Sequence, residues 1–315
     1  MTIDYVTFSN LIIDDIVFPD GRTAMNTLGG AGTHALAGMR LWNGRLGYAA
    51  TVGSDLNPVH RQSLQQFGVD CAGLVVRDGY ATARAWQLFE ANDLRVEVFR
   101  TRLEDFLHNM VEEADLPPAY RQAKGFHLIW GSFARLGKLL QSLRRTNPTI
   151  VLAVELTPQQ EHEPADHLKL VLPHLSLFSP NLAEATAVSG LTDPGEMADL
   201  FLTWGAPLVA IRMGAEGSLV KTRAGEQWRL TAVPTHIVDV TGAGNGYLGG
   251  FLTGLGDGLT PFEASLRAAV SASFALNQLG LPTWTTPPTA EIERRLAWVR
   301  QHTLAHSEVQ LLPRS

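Results

Sequence analysis

Cysteine is almost absent from this chain. Cys71 stands alone among 315 residues, which excludes an intrachain disulfide framework and a cysteine-built zinc cluster. Positive charge is also short: 25 Lys and Arg face 31 Asp and Glu, a formal charge of −6. With no long basic run and no interleaving of aromatic and basic residues, the chain is not expected to bind nucleic acid or an anionic membrane by bulk electrostatics. No apolar run approaches the roughly 20 residues of a membrane span. Met1-Thr-Ile-Asp-Tyr5 carries no basic stretch, and Asp14 and Asp15 interrupt the first apolar segment, so a cytoplasmic protein is expected. Internal repeats, low-complexity tracts and the Gly-x-Ser-x-Gly elbow of serine hydrolases are missing. His302 and His306 have helical spacing but lack the adjacent Glu of a zinc hydrolase, and the Glu161-His-Glu-Pro-Ala-Asp-His167 stretch reads as a polar loop.

What is present is a 45% hydrophobic sequence, enough for a large core. Short apolar runs at 5–8, 45–52, 126–130, 150–155, 175–179 and 208–213 alternate with helix-like segments at 32–41, 58–67, 134–145, 182–189 and 196–204. That alternation predicts an α/β protein with a mostly parallel sheet. Two stretches break the pattern, 12–27 and 75–100; in the second, 85–90 and 95–100 alternate like two exposed strands joined by 91–94. These segments suit a small sheet beside the main body. Toward the end, 247–255, 261–279 and 289–301 read as helices with no strong strand between them, and 302–315 reads as a tail.

The run Asp239-Val-Thr-Gly-Ala-Gly-Asn245-Gly-Tyr-Leu-Gly-Gly250 carries the strongest functional signal. Its glycines let the backbone turn sharply ahead of a helix, and a helix start attracts anions. Gly244-Asn-Gly246-Tyr-Leu-Gly249 also satisfies the dinucleotide pattern G-x-G-x-x-G. That pattern needs a strand before it and a second strand ending in an acidic residue about 20 positions on; here helix follows helix.

Asp239-Val-Thr-Gly-Ala-Gly-Asn245 resembles the C-terminal signature of the ribokinase-like, or PfkB-type, carbohydrate kinases, Asp-x-Thr-Gly-Ala-Gly-Asp, departing only at its last position. Gly29-Gly30-Ala-Gly32-Thr-His34 resembles the family's substrate segment, and Gly47-Tyr-Ala-Ala-Thr-Val-Gly53-Ser-Asp55 the strand and turn after it. Pro180-Asn181-Leu-Ala-Glu184 resembles its Asn-x-x-Glu segment, and Arg212-Met-Gly214-Ala-Glu-Gly217 its nucleotide-side turn. The match runs through roughly residues 5 to 280. Divergent members resembling the fungal maintenance-of-killer proteins also carry Gly-Asn at the final turn.

The resemblance implies a three-layer α/β sandwich over 1–301, with helices on both sides of a central sheet and a β-lid built from about 12–27 and 75–100, followed by the tail 302–315. It implies ATP and Mg2+ and a sugar or nucleoside substrate whose hydroxymethyl group attacks the γ-phosphate. Asp14 or Asp15 would lie near substrate hydroxyls with Gly29, Gly30 and His34. Asn181, Arg212, Gly214, Gly217, Thr241, Ser273, Asn277 and Gly280 would lie along the nucleotide, and Glu184 would reach the metal through water. Gly242, Ala243 and Gly244 would form an anion hole beside Asn245.

The same residues have plainer readings. Asp14 and Asp15 suit turns, the glycine pair suits a tight loop, and His34 suits a structural role. Asn181 with Glu184 is an ordinary capping box, and Arg212 could be an exposed residue at a strand end. Most of 261–279 reads as core. Relatives often pair lid sheets between subunits, so a homodimer through the lid is expected. At Asn245 an amide stands where a carboxylate base is usual; it can orient a hydroxyl but cannot take its proton near pH 7. Two activities follow: a kinase slowed at that step, or a nucleotide- and metabolite-binding pseudokinase with a regulatory role.

Overall fold

The computed structural model describes residues 2–90, 95–129, 131–157 and 160–305. Its strands are β1 (Tyr5–Phe8), β2 (Ile12–Val17), β3 (Thr23–Gly29), β4 (Leu46–Val52), β5 (Val69–Asp70), β6 (Leu74–Val76), β7 (Arg84–Phe89), β8 (Arg95–Phe99), β9 (Gly125–Leu128), β10 (Val151–Val154), β11 (Leu177–Phe178), β12 (Leu208–Arg212), β13 (Ser218–Thr222), β14 (Gln227–Leu230) and β15 (Leu304–Ala305). Its α-helices are α1 (Ala31–Arg40), α2 (Pro58–Gln66), α3 (Leu103–His108), α4 (Phe133–Thr146), α5 (Ala165–Val171), α6 (Leu182–Ser189), α7 (Pro194–Thr203), α8 (Ala243–Gly256), α9 (Pro261–Ala275) and α10 (Thr289–Gln301).

The main sheet runs β15-β14-β13-β12-β11-β10-β9-β1-β4-β5, with β6 also paired to β4. It is parallel from β5 to β12 and antiparallel through β13, β14 and β15. Successive strand residues face opposite sides, so β1 sends Tyr5 to one apolar layer and Val6 and Phe8 to the other. The first layer holds α1, α8, α9 and α10; the second holds α4 to α7. This is the sandwich that the resemblance implied, built on the mostly parallel sheet that the alternating pattern predicted. The same alternation places Thr7, His127 and Arg212 on the face that carries α8, because Val6, Phe126, Leu128 and Ile211 take the other. Buried polar groups thus gather at the carboxyl ends of the parallel strands, where open α/β sheets bind ligands.

A separate sheet, β3-β2-β7-β8, forms the lid. It begins later than expected in its second segment: Leu74–Val76 pairs with β4 in the main sheet, and the lid resumes at Arg84. The anticipated 91–94 connection and Trp130 lie outside the described residues. The helix read over 261–279 stops at Ala275, because the Leu276 carbonyl accepts the amides of Val238 and Asp239 at 2.7 and 3.3 Å. Of the tail, 302–305 are described, and Leu304–Ala305 pairs with β14. Among the described residues no helix is long and apolar enough to cross a membrane.

Candidate active site

The glycine run forms the start of α8. Gly242 is its N-cap with φ 77°, a left-handed conformation that a side chain would strain. The first turn-closing bond runs from Gly246 N–H to the Gly242 carbonyl at 2.8 Å, so the earlier amides of Gly244 and Asn245 belong to the open end of the helix. Such amides and the helix dipole favour an anion. The Asn245 side chain is partly exposed and hydrogen bonds to none of the described residues. Ahead of the turn, buried Asp239 accepts the Thr241 N–H at 2.7 Å.

One side of this turn opens on a cavity of about 610 Å3, lined among others by Asn181, Gly214, Gly217, Ala243, Gly244 and Ser273. Val233, Ile237, Val240 and Leu276 give it apolar walls. Space for a flat apolar group at one end and a helix N-terminus at the other suits a nucleotide. Gly214 and Gly217 shape the turn after β12, with φ of 60° and 87°.

Arg212 is buried rather than exposed, at 9% accessibility. Its Nη2 donates to Glu155 Oε1 at 2.9 Å and to Glu184 Oε2 at 3.3 Å. Burial works against its charge, but Glu155 and then Glu184 outweigh that and hold it protonated. A Cβ at Gly244 would fall 1.7 Å from Arg212 Nη1; only glycine lets the guanidinium approach the helix end so closely. Glu184 also completes a capping box with Asn181, so the plainer reading of that pair holds alongside any other role. Burial pushes the Glu184 carboxyl up to about 7. Glu155 Oε2 and Arg212 Nε are buried without hydrogen-bond partners among the described residues. A carboxylate oxygen left without a donor beside Glu184 is chemistry that fits a hydrated divalent cation.

The lid closes the other side. Gln87 Nε2 donates to Asp14 Oδ1 and Glu97 Oε1, each at 3.1 Å. Arg95 Nη1 donates to Gln87 Oε1 at 2.9 Å and to Thr241 Oγ1 at 3.5 Å, tying the lid to the turn before α8. Gly29 abuts Asp14, since a Cβ there would meet its Oδ2 at 1.9 Å. Gly30 caps α1, and His34 lies in that helix with its ring against Gly242. Burial pushes the Asp14 carboxyl up to about 7 and the His34 imidazole down to about 4.

Three expected site residues lie elsewhere. Asp15 faces the opposite side of the lid, where Arg84, Arg100 and the Asn26 amide donate to its carboxylate at 2.8 to 3.1 Å; strand alternation makes Asp14 and Asp15 exclusive choices for one face. Asn277 spends its amide on Thr235, His236 and Arg295 and is off the cavity wall. Gly280 packs on Thr27 and Leu28 beneath the lid. Ser273 reaches the cavity, but its hydroxyl is engaged with Val270 and Arg295 at 2.6 and 2.8 Å. Sequence reasoning missed Glu155, Arg95 and Gln87. Glu155 ends a strand at the sheet's ligand-binding edge, the signal that could have found it.

The sequence pattern described as pfkB family carbohydrate kinase matches residues 2–287. A cytidine kinase of Thermococcus kodakarensis is 28% identical over 84% of this chain and 92% of its own length. A 2-dehydro-3-deoxygluconokinase of Bacillus subtilis is 26% identical over 81% and 84%. The nucleoside kinase of Methanocaldococcus jannaschii, an archaeal member of the ribokinase family, superposes with a TM-score of 0.75 over 94% of this chain and 99% of that one, at 17% identity.

Proposed function

The chain belongs to the pfkB family of carbohydrate kinases, and from that premise we propose that it transfers the γ-phosphate of ATP to a hydroxyl, foremost a hydroxymethyl group, of a sugar or nucleoside-like small molecule. The observation carrying this reading is the meeting of a cavity and the small sheet at one helix end. The 610 Å3 cavity reaches Ala243 and Gly244 from one side, and lid residue Arg95 reaches Thr241 from the other.

In this reading ATP fills the cavity with its phosphates at the start of α8, where the amides of Gly244 and Asn245 and the charge of Arg212 await them. The acceptor lies under the lid with its hydroxyls on Asp14. Glu184, acting through water with Glu155 beside it, would hold Mg2+, which when bound offsets phosphate charge during transfer. Asn245 orients the attacking hydroxyl. Lacking a carboxylate there, residue 245 cannot itself supply the general-base assistance commonly worth about 10²–10⁴ in rate, while positioning and electrostatics sustain turnover. The relatives named above support both nucleosides and sugar acids as acceptors to test.

Asn245 also favours a second reading, a nucleotide- and metabolite-binding pseudokinase. Label transfer from γ-32P-ATP with Mg2+ to a panel of nucleosides, sugars and sugar acids separates the two. Labelled product is expected with at least one acceptor. Background counts with every acceptor, together with retained ATP binding, would replace the kinase with the pseudokinase.

A further inference from the structure

His34 sits under the turn that begins α8 without a hydrogen-bond partner among the described residues. Its side chain is buried, at 5% exposure, and neither ring nitrogen hydrogen bonds to a described residue. Nε2 is enclosed. A Cβ at Gly242 would fall 2.0 Å from the ring's Cγ and 2.3 Å from Nδ1, so Nδ1 lies on the side of the anion-binding turn. Leaving a buried polar group unpaired is destabilising, and a fold keeps such a group most readily where a ligand completes it.

The surroundings suit a proton acceptor. Burial keeps the imidazole neutral at pH 7, with its ordinary value pushed down to about 4; Asp239 opposes that shift and Arg95 adds to it. The imidazole is therefore unprotonated when needed, and its Nδ1 faces the turn where the proton is released. Asp239 is positioned to stabilise the imidazolium that would form.

We propose that His34 Nδ1 accepts the proton of the attacking hydroxyl, the task that the Asn245 amide cannot perform. This rests on the phosphotransferase reading. The acceptor oxygen bonds to the γ-phosphorus as the bond from that phosphorus to the β,γ-bridging oxygen breaks. The hydroxyl proton passes to Nδ1, and ADP departs with the bridging electron pair. The imidazolium then returns its proton to solvent once product leaves.

A pair of backgrounds tests this. His34→Asn is made in the native chain and in Asn245→Asp, with melting temperature and ATP affinity measured for all four proteins. With Asn245 present, kcat should fall at least about tenfold while acceptor KM stays within about twofold. With Asp at 245 supplying a base, the same substitution should change kcat by less than about threefold. Equal loss in both backgrounds marks a merely structural role and overturns the proposal, as does an unchanged kcat in the native background. If the native chain yields no labelled product, the kinase reading itself fails; if it turns over and only the asymmetry is missing, the role of His34 alone fails.

Discussion

Arg212 Nη2 lies 2.9 Å from Glu155 Oε1, and each of these side chains is only 10% exposed. The pair fixes a positive charge beside Gly244, at the open end of α8. Breaking a buried pair from one side leaves an uncompensated charge and costs about 3–5 kcal/mol, whereas replacing both partners with neutral groups of similar size is often nearly neutral. Glu155→Ala leaves Arg212 with Glu184 as its remaining partner at 3.3 Å, so the unfolding free energy in urea titrations should fall by less than the about 3–5 kcal/mol of a fully unpaired charge. Glu155→Gln combined with Arg212→Met should recover most of that loss while ATP affinity stays at least about tenfold below the native value, a loss of about 1.4 kcal/mol.

Asp14, buried in the lid sheet, predicts a pH dependence of acceptor binding. Burial raises the Asp14 carboxyl to about 7, and a sugar hydroxyl donates best to the ionised form. Acceptor KM should fall as pH rises from 6 to 8, through about 7. Asp14→Asn should flatten that profile and raise KM at least about tenfold, the loss of a charge-assisted hydrogen bond, with ATP affinity unchanged. A pH-independent KM in the native enzyme would place the acceptor away from Asp14.

His34 makes a separate statement about stability. Its folded value of about 4 lies below the ordinary 6.5, so the unfolded chain takes up a proton that the folded one refuses as pH falls between those values. The stability present above 6.5 is lost toward 4 at a slope contribution of about 1.4 kcal/mol per pH unit. Asp14 and Glu184, both raised to about 7, act in the opposite sense in that window and together outweigh the histidine in the native profile. Comparing His34→Asn with the native chain isolates the histidine: the variant should gain relative stability steadily from pH 6.5 down to 4. Parallel stability profiles would mean that His34 titrates normally in the fold.

The outer lid face carries Trp86, Val96 and Val98, exposed by 42%, 41% and 40%, with the guanidinium of Arg100 over the Trp86 ring at 5.0 Å. Such a face is suited to a second copy of the chain. Sedimentation should give a dimer for the native protein and a monomer for Val96→Glu combined with Val98→Glu. A native monomer at micromolar concentration would remove the homodimer.

The alternation of short apolar runs with helical segments made the parallel sheet legible, and the glycine run made the start of α8 legible. Their signals are local. The hairpin of β13 and β14 and the short helices α3 and α5 escaped notice because their patterns are brief and half-polar. Asp14 and Asp15 could not be ranked from neighbouring positions in the sequence; the pleat, together with Arg84 and Arg100 from distant strands, separates them. The sequence leaves Arg212 open between the nucleotide side and an exposed strand end because its partners, Glu155 and Glu184, are 57 and 28 positions away. Nor could spacing reveal that His34 packs on Gly242, a contact made only when α1 meets α8.

The central claim is that the turn from Gly242 to Asn245 is the site of transfer and lacks its usual base. The most direct measurement is kcat of Asn245→Asp against Asn245, both in the His34→Asn background where no second base is present, with the same acceptor, ATP and Mg2+. The account predicts a rise of at least about tenfold, the lower part of the range for general-base assistance. An unchanged kcat would contradict the placement of residue 245 at the proton-transfer position.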